Sequence, residues 1–531
     1  MTEPRRSSRR PSTRRRAVAL DEGDPVVART NGGRAPRAID PYDAVPYNAC
    51  PVAIAHPDRL AAAALRNGWV CTPPARCRML ELGCADATNL IPLAITYPSS
   101  QFVGVERSAS QIGVARAELE ALGIRNVELL HMDIEDLDED LGEFDYIVAH
   151  SVFSWVSEHA RARILRIMHA NLSARGVAFL SYNTLPGWSL HGAIRDLLRA
   201  HTQEIDDPSA KVASARAHIV RLAALGPGWE GQPQSLVLAQ VFEGLATRSD
   251  SFLLHEYLSE HNRAFGFVEL LDTLDAHGLW VLADLVRSTT TYTSHDSLRA
   301  ALEREGLPPR EVETALDLLT GRKLRASLIC RSVGAPVAAH DQAERLADCE
   351  LAVAAPPRVA PQQRKSSRTG VASSAREVEW LRTALSALTE VWPGGRHVGE
   401  LMQDTGVDET DRAQAMADLL RMCDLGYLEL RAHPLRLVTT ASSRPMVSPK
   451  TRRDAARGRR VTNQLHVQVA LADQTLAVAA LLDGHRTVAE LVEEIGARGG
   501  LPSVAHGDAE ALHRTVVAEL DVLAAHALLL G

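Results

Sequence analysis

Aromatic residues are scarce in this sequence of 531 residues, since Phe, Trp and Tyr together make up 4%. Lysine occurs only as Lys211, Lys323, Lys365 and Lys450, so Arg carries almost all of the positive charge. Leu, Ala and Val must therefore fill the hydrophobic cores. Hydrophobic residues at 46% and charged residues at 23% are ordinary for globular proteins, and they exclude a chain that is disordered throughout.

Cysteine pairs with metal-ligand spacing and long apolar runs are also missing. The seven cysteines stand at positions 50, 71, 77, 84, 330, 349 and 423, without a CxxC pair. Their odd number and spacing indicate reduced packing thiols and no metal site. No window reaches the roughly 18 uninterrupted apolar residues of a membrane span, and no apolar segment follows the Arg-rich beginning. We therefore expect a cytoplasmic protein without a membrane segment.

Length and charge predict several domains after a basic head. At roughly 150 residues per domain, the chain should contain three or four. Residues 1–38 hold ten Arg against four acidic residues, a net charge of +6, whereas the whole chain carries −8. This head lacks apolar periodicity, so we expect residues 1–38 to be disordered.

Strand and helix patterns alternate between residues 78 and 182. Short apolar runs predict strands at 78–83, 101–106, 127–133, 144–150 and 176–182. Amphipathic stretches at 109–122 and 158–172 predict helices between them. This alternation favours a parallel sheet covered on both faces, within a domain of residues 39–188.

The rest of the chain loses the strand pattern until its C-terminal part. Residues 189–333 should form a helical cap, with helices at 193–201, 213–225, 252–262, 267–277 and 310–319. Ala, Pro, Gln and Ser enrichment predicts a linker over 334–375. WPGGRHVGELMQDTG (392–406) resembles LDGHRTVAELVEEIG (482–496), and each precedes a long helix and an apolar end. Two winged-helix-like units are therefore expected at 376–440 and 464–531, joined by a basic linker at 441–463.

The motif LELGCADATN (80–89) ends the first predicted strand. Small residues at Gly83, Ala85 and Ala87 let a ligand approach the backbone, and their spacing differs from the GxGxxG of dinucleotide sites. Glu81, Glu106 and Asp133 stand at three successive strand ends and should share one sheet edge. There Glu106 can accept ribose hydroxyls, and Asp133 with Ile134 can bind an adenine ring.

These residues and several longer segments resemble one family. The matching segments are YDAVPYNACPVAIAHPDRLA (42–61), LELGCADATNLIPLA (80–94), FDYIVAHSVFSWV (144–156), SYNTLPGW (181–188), FLLHEYLSEHNRAFGF (252–267) and GRKLRASLICR (321–331). The chain is similar to class I S-adenosylmethionine-dependent methyltransferases with a methyltransferase regulatory domain, including the rickettsial protein lysine methyltransferases. The resemblance implies an α/β fold with a Rossmann-like sheet, a helical cap and C-terminal winged-helix-like domains. Ala85 and Ala87 stand where such families often or usually carry Gly, which puts cofactor affinity in question.

The resemblance also implies functional residues, with S-adenosyl-L-methionine as cofactor. The cofactor set is Tyr42, Tyr47, Glu81, Gly83, Cys84, Ala85, Asn89, Glu106, Asp133, Ile134, His150, Ser151 and Trp155. On the acceptor side, Tyr182 and Asn183 could hold the amine, with His150 near the reacting face. Trp188, His255, Glu256 and Tyr257 are the expected substrate-binding residues.

Three functions remain open from the sequence. The first is methyl transfer to protein lysine, and the second is methyl transfer to a small molecule or peptide natural product. The third is a non-catalytic, cofactor-sensing regulator that binds nucleic acid. Against the third, helix candidate Thr410–Leu425 sets Arg412 and Arg421 against three Asp residues. We expect a protein or peptide partner, and we expect removal of 376–531 to preserve cofactor binding; oligomeric state stays open.

Overall fold

The five predicted strands between residues 78 and 182 lie side by side and parallel. The computed structural model describes residues 40–225, 233–285, 295–331, 347, 349–354, 375–408, 410–435, 437–505 and 507–530. The Arg-rich head at 1–38 and most of the predicted linker at 334–375 lie outside these ranges. The predictions made for those segments therefore stay predictions.

Seven strands form the main sheet in the order β3-β2-β1-β4-β5-β7-β6. Their bounds are β1 Arg78–Leu82, β2 Gln101–Glu106, β3 Val127–His131, β4 Phe144–Ala149, β5 Leu172–Asn183, β6 Trp280–Asp284 and β7 Leu324–Cys330. The expectation that residues 189–333 are wholly helical is wrong, because β6 and β7 come from that segment. β7 runs antiparallel to β5, and β6 runs antiparallel to β7. The sheet therefore continues past the expected domain boundary at residue 188.

Helices surround this sheet. They are α1 Pro41–Ala44, α2 Pro57–Arg66, α3 Leu90–Thr96, α4 Ala109–Leu122, α5 Glu158–Asn171, α6 Ser189–His201, α7 Pro208–Leu225, α8 Pro233–Ala246, α9 Asp250–Phe252, α10 Phe267–Asp275, α11 His295–Arg304 and α12 Pro309–Thr320. Short 3-10 helices lie at Ala53–Ala55, Pro74–Arg76, Ile134–Asp136 and Phe153–Trp155. The helix predicted over 252–262 is instead a π-helical turn, Leu253–Leu258, that continues α9. Within the described ranges, no helix has the length and apolar character needed to cross a membrane.

Local sequence signals set the ends of the helices beside the sheet. The Ser108 side chain accepts a hydrogen bond from the backbone N–H of Gln111 and starts α4, which ends at left-handed Gly123. Ser157 caps α5 in the same way. These two helices match the predicted ranges to within one residue.

Alternate residues of the strands supply two hydrophobic cores, one on each face. Met79 packs in the core that includes residues of α2, α3 and α4. Leu80 packs in the core that includes residues of α5 and α10. Both faces of the sheet are thus buried, which explains why the strands are continuous apolar runs.

The first C-terminal unit contains three strands and three helices. They are α13 Ala375–Glu390, α14 Val398–Asp404, α15 Arg412–Asp424, β8 Glu350–Val353, β9 Arg396–His397 and β10 Leu428–Arg431. β8 pairs with both β9 and β10. Because β8 falls within 334–375, that segment is not only a linker: part of it completes the unit's sheet.

The second C-terminal unit begins earlier than expected. It comprises α16 Pro449–Ala456, β11 Val461–Thr462, β12 Gln468–Val469, α17 Asp473–Ala479, α18 Val488–Ala497 and α19 Ala509–Ala525. The basic segment 441–463 is therefore not a linker, since it contains α16 and β11. The apolar end of the chain pairs through an isolated bridge between Leu529 and Val447.

Basic residues of α16 contact α4 of the sheet domain. Glu118 of α4 lies within 3.5 Å of the Lys450 ammonium and forms hydrogen bonds to Arg453 and Arg457 at 3.0 and 3.3 Å. On the first unit, Arg59 of α2 binds Glu429 through two hydrogen bonds of 3.0 and 2.9 Å. Both units are therefore attached to the sheet domain by ion pairs between residues distant in sequence.

A buried guanidinium joins β7 to its surroundings. The Arg325 side chain is fully buried and binds Glu313 and Asp317 at 2.7 and 2.8 Å, and it also contacts Asp284. Burial alone would lower the pKa of Arg325, but the carboxylates of Asp284 and Asp317 raise it above its ordinary value. Arg325 therefore neutralises three acidic groups at the point where β6, β7 and α12 meet.

Replacement of Arg325 by Met should destabilise the protein strongly. The change keeps much of the side-chain volume but removes the buried charge that lies among three carboxylates, and leaves Asp284 and Asp317 with Arg322 and Glu313 with Arg299. Loss of one partner from a buried ion-pair network costs up to about 3–5 kcal/mol. Denaturant unfolding followed by circular dichroism measures the loss in unfolding free energy. The matched control is Arg382→Ala, which removes an exposed ion pair with Glu379 and should have no detectable effect. Equal stability of Arg325→Met and the unsubstituted protein would contradict the role assigned to this network.

Candidate active site

The turn after β1 has an unusual backbone. Gly83, Ala85 and Ala87 adopt positive φ angles of 77°, 51° and 57°. A Cβ added at Gly83 would lie 2.6 Å from the Cγ2 atom of Val152, so the position also requires glycine for space. The two alanines occupy a conformation that glycine adopts at lower cost. This explains in backbone terms why glycine is expected there.

All thirteen residues predicted to bind the cofactor line one cavity of about 240 Å³. The cavity lies at the carboxyl ends of the parallel strands, where open α/β sheets bind ligands. Residues from β1, β2 and the segments after β3 and β4 reach it because these strands are neighbours in the sheet. The structure thus brings the predicted set together, including Tyr42 and Tyr47 from before the sheet.

Glu81 is the buried acidic group of this cavity. Its Oε1 accepts a hydrogen bond of 3.0 Å from Nδ2 of Asn89, and its Oε2 has no hydrogen-bond partner among the described residues. Burial raises the pKa of Glu81 to about 8, and the nearby charges of Asp86 and Glu106 act in the same direction. A buried carboxyl with one unsatisfied oxygen is suited to a cationic amino group.

Glu106 links β2 to the turn after β1. Its two carboxylate oxygens accept hydrogen bonds from the backbone N–H groups of Ala85 and Ser108, at 3.1 and 2.8 Å. Burial nevertheless raises its pKa above the ordinary value. The carboxylate is therefore held in place while each oxygen keeps a second lone pair for a hydroxyl donor.

The segment before the sheet covers the cavity. The ring of Tyr42 stacks on that of His255, with centroids 4.1 Å apart, and Nε2 of His255 lies 2.7 Å from the carbonyl oxygen of Val45. Asp40 forms an ion pair of 2.6 Å with Arg107, which itself lies 3.9 Å from Asp133. His255, predicted to bind substrate, therefore lies on the cofactor cavity and supports its cover.

His150 follows β4 at the floor of the cavity. Its Nδ1 lies 3.1 Å from Oγ of Ser181, which also accepts the backbone N–H of Ser151 at 2.7 Å. Because that oxygen accepts from Ser151, its hydroxyl hydrogen is available to donate to His150. Burial lowers the pKa of His150 to about 4, so its ring is neutral near pH 7 and is a weak base. This geometry favours a structural role over the predicted catalytic one.

A second cavity of about 620 Å³ adjoins the first. Ser151, Trp155 and Glu256 line both, so the two spaces meet at these three residues. The other predicted acceptor-side residues in its wall are Tyr182, Asn183, Trp188 and Tyr257. The structure therefore separates the predicted site into two adjoining compartments.

Glu256, where the two cavities meet, has a pKa above that of an ordinary glutamate. It lies on the π-helical turn, and burial raises its pKa to about 7. Trp155 and Trp188 lie nearby in the second cavity's wall with their rings in T-shaped contact, 5.7 Å between centroids. A carboxyl with this acidity beside aromatic faces can bind a cation and exchange a proton near neutral pH.

Tyr182 has a different environment from the one expected. Its ring packs against Phe265, and its hydroxyl lies 3.3 Å from Oγ of Ser327 on β7. Burial raises its pKa above the ordinary value, so the phenol keeps its proton. The predicted hydrogen bond from this hydroxyl to a substrate amine is not supported, whereas neighbouring Asn183 keeps a buried Nδ2 without an acceptor among the described residues.

The sequence did not predict the wall that α8 gives to the second cavity, or a residue that hydrogen-bonds to the wall of the first cavity. α8 contributes Val237, Gln240, Val241, Gly244 and Leu245 to the second cavity. His466, from the hairpin of β11 and β12, hydrogen-bonds to Asn89. Neither carries a local motif, and both positions depend on contacts far along the chain.

Three family models match the chain. A methyltransferase domain matches residues 79–176, and a predicted methyltransferase regulatory domain matches 249–331. The C-terminal winged helix domain of PKMT matches 443–528. The first match contains the cavity residues from Glu81 to Trp155, but not the segment before the sheet. The second match contains Glu256, and the third contains His466.

Relatives and solved structures agree with these matches. Uncharacterised protein RP789 of Rickettsia prowazekii is 34% identical over 319 residues, which are 58% of this chain and 55% of that protein. Uncharacterised protein RP028 of the same organism is 34% identical over 233 residues, covering 44% of this chain and 92% of that protein. The chain thus spans about half the length of the former and nearly all of the latter.

Two structures of PKMT2 from Rickettsia typhi share the fold at 22% identity. One gives a TM-score of 0.75 over 91% of this chain and all of that chain. The other, a complex with AdoHcy, gives a TM-score of 0.73 over 92% of this chain and all of that chain.

The sheet order and the acidic strand ends define a Rossmann-like methyltransferase, as predicted. The chain belongs to the class I S-adenosylmethionine-dependent methyltransferases that carry a methyltransferase regulatory domain. Its cofactor is S-adenosylmethionine. The residues present fit that molecule: unsatisfied Oε2 of Glu81 suits its ammonium group, and Gly83 lines the cavity without a side chain of its own.

Cofactor affinity should increase with pH up to about 8. Glu81 is largely protonated below its pKa of about 8, and it must lose that proton to pair with the ammonium of S-adenosylhomocysteine. Each pH unit below this value should therefore weaken binding by up to about tenfold. Titration calorimetry between pH 6 and 9 measures the slope.

Glu81→Gln should bind weakly with a shallow pH slope. The matched control is Glu128→Gln, at an exposed position of β3, which should keep the slope of the unsubstituted protein. A flat profile in the unsubstituted protein would show that Glu81 does not receive the ammonium group.

Proposed function

We propose that this protein transfers a methyl group from S-adenosylmethionine to the side-chain amine of lysine in a protein substrate. The observation that carries the proposal is Glu256, which lies between the two cavities with its pKa raised to about 7. A lysine ammonium must lose a proton before it can act as a nucleophile. Glu256 is the group placed to take that proton.

The second cavity suits a long, cationic side chain. Trp155 and Trp188 line this cavity together with Glu256, and Tyr257 lies in the same wall. Aromatic faces attract ammonium groups, and the methylene stem of lysine can pack against them. The hydroxyl of Tyr257 is held by His191 at 2.6 Å, so the wall is oriented before substrate arrives.

The chain's own residues account for the proton. The carboxylate of Glu256 accepts a proton from the ammonium, which leaves a neutral amine facing the first cavity. When bound, the cofactor supplies a methyl group on a positively charged sulfur, and methyl transfer leaves a neutral thioether. His150 stays neutral because burial lowers its pKa to about 4, and Ser181 holds its ring. The second cavity's side chains exclude water and hold the amine in line.

The C-terminal units support a polypeptide substrate rather than nucleic acid. Among the basic residues of segment 441–463, Lys450, Arg453 and Arg457 contact Glu118. These three side chains therefore face α4. PKMT, the name carried by the matching winged helix domain and by the R. typhi structures, denotes protein lysine methyltransferase. These observations together favour a protein acceptor.

A small-molecule acceptor is the second candidate. The second cavity, at about 620 Å³, falls in the range of roughly 300–1,000 Å³ common for small-molecule sites. The same Glu256 would deprotonate an amine of such a molecule. The two candidates differ in acceptor and share the chemistry.

Incubation with methyl-labelled S-adenosylmethionine and host lysate distinguishes them. We expect label in protein, on lysine side chains identified by mass spectrometry of peptides. The control reaction contains Glu256→Gln in place of the unsubstituted protein. Label confined to the small-molecule fraction would reject the protein acceptor and support the second candidate, and label on another residue type would reject lysine.

Glu256→Gln should lower turnover by about 10²-fold or more, the usual contribution of a positioned general base. The unsubstituted protein's kcat should rise with pH through about 7, as Glu256 loses its proton, and the variant should lack this inflection. The affinity for S-adenosylhomocysteine measures cofactor binding and should change far less than turnover.

Glu260→Gln provides the matched control, since it lies four residues further on at an exposed position. It should retain both the rate and the inflection. Turnover of Glu256→Gln within twofold of the unsubstituted protein would contradict the assignment of Glu256 as the base.

A further inference from the structure

The hairpin of β11 and β12 reaches from the C-terminal unit to the cofactor turn. His466, near its tip, is buried, and its Nε2 lies 2.7 Å from Oδ1 of Asn89. Asn89 is 377 residues earlier in the chain and stands in the cofactor cavity's wall. A side chain of the winged helix domain therefore contacts a cofactor-site residue directly.

The hairpin presents His466 in a fixed position. His466 has a φ angle of 59°, a left-handed conformation that a β-branched residue would rarely adopt. Oδ1 of Asn463 accepts the backbone N–H groups of Leu465 and Val467 at 3.1 and 2.9 Å. Nδ2 of Asn463 donates to the carbonyl oxygen of His526 at 2.9 Å, which ties the tip to the end of α19.

The side-chain amide of Asn89 makes three hydrogen bonds. Its Oδ1 accepts the backbone N–H of Val52 at 2.9 Å as well as the bond from His466, and its Nδ2 donates to Glu81 at 3.0 Å. Two donors on the oxygen fix which way the amide is turned. With the oxygen facing Val52 and His466, the nitrogen must face Glu81.

We propose that His466 is a positioning residue for the cofactor site: by donating to Asn89 it orients the amide that holds the carboxyl of Glu81. His466 touches neither cofactor nor substrate in this arrangement and acts through Asn89. The C-terminal winged helix domain thus contributes to the cofactor site, in addition to any surface that it offers to substrate.

The charges around this contact agree with a neutral donor. Burial lowers the pKa of His466 to about 3, and Arg59 acts in the same direction. His56, with its ring centroid 5.5 Å away, is also held neutral by burial, by His466, and by Arg59 and Arg431. A neutral His466 ring has one N–H, and it must lie on Nε2, because Oδ1 of Asn89 can only accept.

The proposal leads to a different expectation for one truncation than the sequence does. Removal of residues 376–531 was expected to preserve cofactor binding, because the predicted cofactor residues all precede residue 156. That truncation would remove His466 and leave Asn89 without one of its two donors. The full chain is therefore the proper material for a test.

The test compares three variants by calorimetry with S-adenosylhomocysteine. His466→Leu removes the donor while keeping an apolar side chain, and His466→Gln keeps an N–H donor at similar reach. Gln464→Leu is the matched control: it removes a hydrogen bond from the same hairpin to the carbonyl oxygen of Leu529 without touching Asn89. Circular dichroism verifies that each variant is folded.

We expect His466→Leu to weaken binding by about tenfold, the upper range for one neutral hydrogen bond, with His466→Gln close to the unsubstituted protein. The pH dependence should also move in His466→Leu. Asn89 normally lowers the pKa of Glu81 against burial, Asp86 and Glu106, so loosening it should shift the rise in affinity to higher pH.

A variant that only destabilised the domain would not show this combination of lower affinity and shifted pH dependence. The proposal is overturned if His466→Leu binds like the unsubstituted protein at every pH, or if Gln464→Leu weakens binding as much as His466→Leu does. It is also overturned if His466→Gln and His466→Leu lose affinity equally, since the donor would then be irrelevant.

Discussion

The burial of a carboxyl at the end of β1 is the constraint on which the site depends. Glu81 is placed where water cannot solvate it, and one of its oxygens has no hydrogen-bond partner among the described residues. Such a group is costly unless a cation arrives, so the fold must prevent it from turning away or pairing elsewhere. Asn89 does this from the start of α3. Gly83, Cys84 and Ala85 line the cavity beside it, whereas Ala87 is buried in the hydrophobic core.

The cavities divide two tasks between two carboxyls with raised pKa values. Burial raises the pKa of Glu81 to about 8 and that of Glu256 to about 7. No histidine takes either role. The first is suited to hold the ammonium of the cofactor, whose charge is permanent in the reaction. The second is suited to exchange a proton with an acceptor amine, because its acidity lies close to neutral pH. His150, with a pKa lowered to about 4, is too weak a base for this exchange.

The sequence predicted what depends on neighbouring residues. The strand ends at Glu81, Glu106 and Asp133 could be placed on one edge because parallel neighbours share their carboxyl ends, and Ser108 and Gly123 mark the ends of a helix by local chemistry. β6 and β7 were missed because β7 pairs with β5, more than 140 residues earlier in the chain, and β6 pairs with β7, 43 to 50 residues later. Segment 441–463 was taken for a linker because its basic residues lack apolar periodicity. Their partner, Glu118, is more than 300 residues earlier in the chain.

The same long-range pairing gives the C-terminal half a part in the cofactor site. Ion pairs of Glu118 and Glu429 hold the two C-terminal units against α4 and α2. Both helices pack on one face of the sheet. A hairpin held by such contacts can bring His466 to Asn89 with a fixed geometry, which a freely jointed domain could not do. Any substrate that displaced the second unit would therefore also disturb Asn89. The ion pairs at α4 and α2 attach the two C-terminal units to the sheet domain, whereas α8 and the π-helical turn line the proposed acceptor cavity.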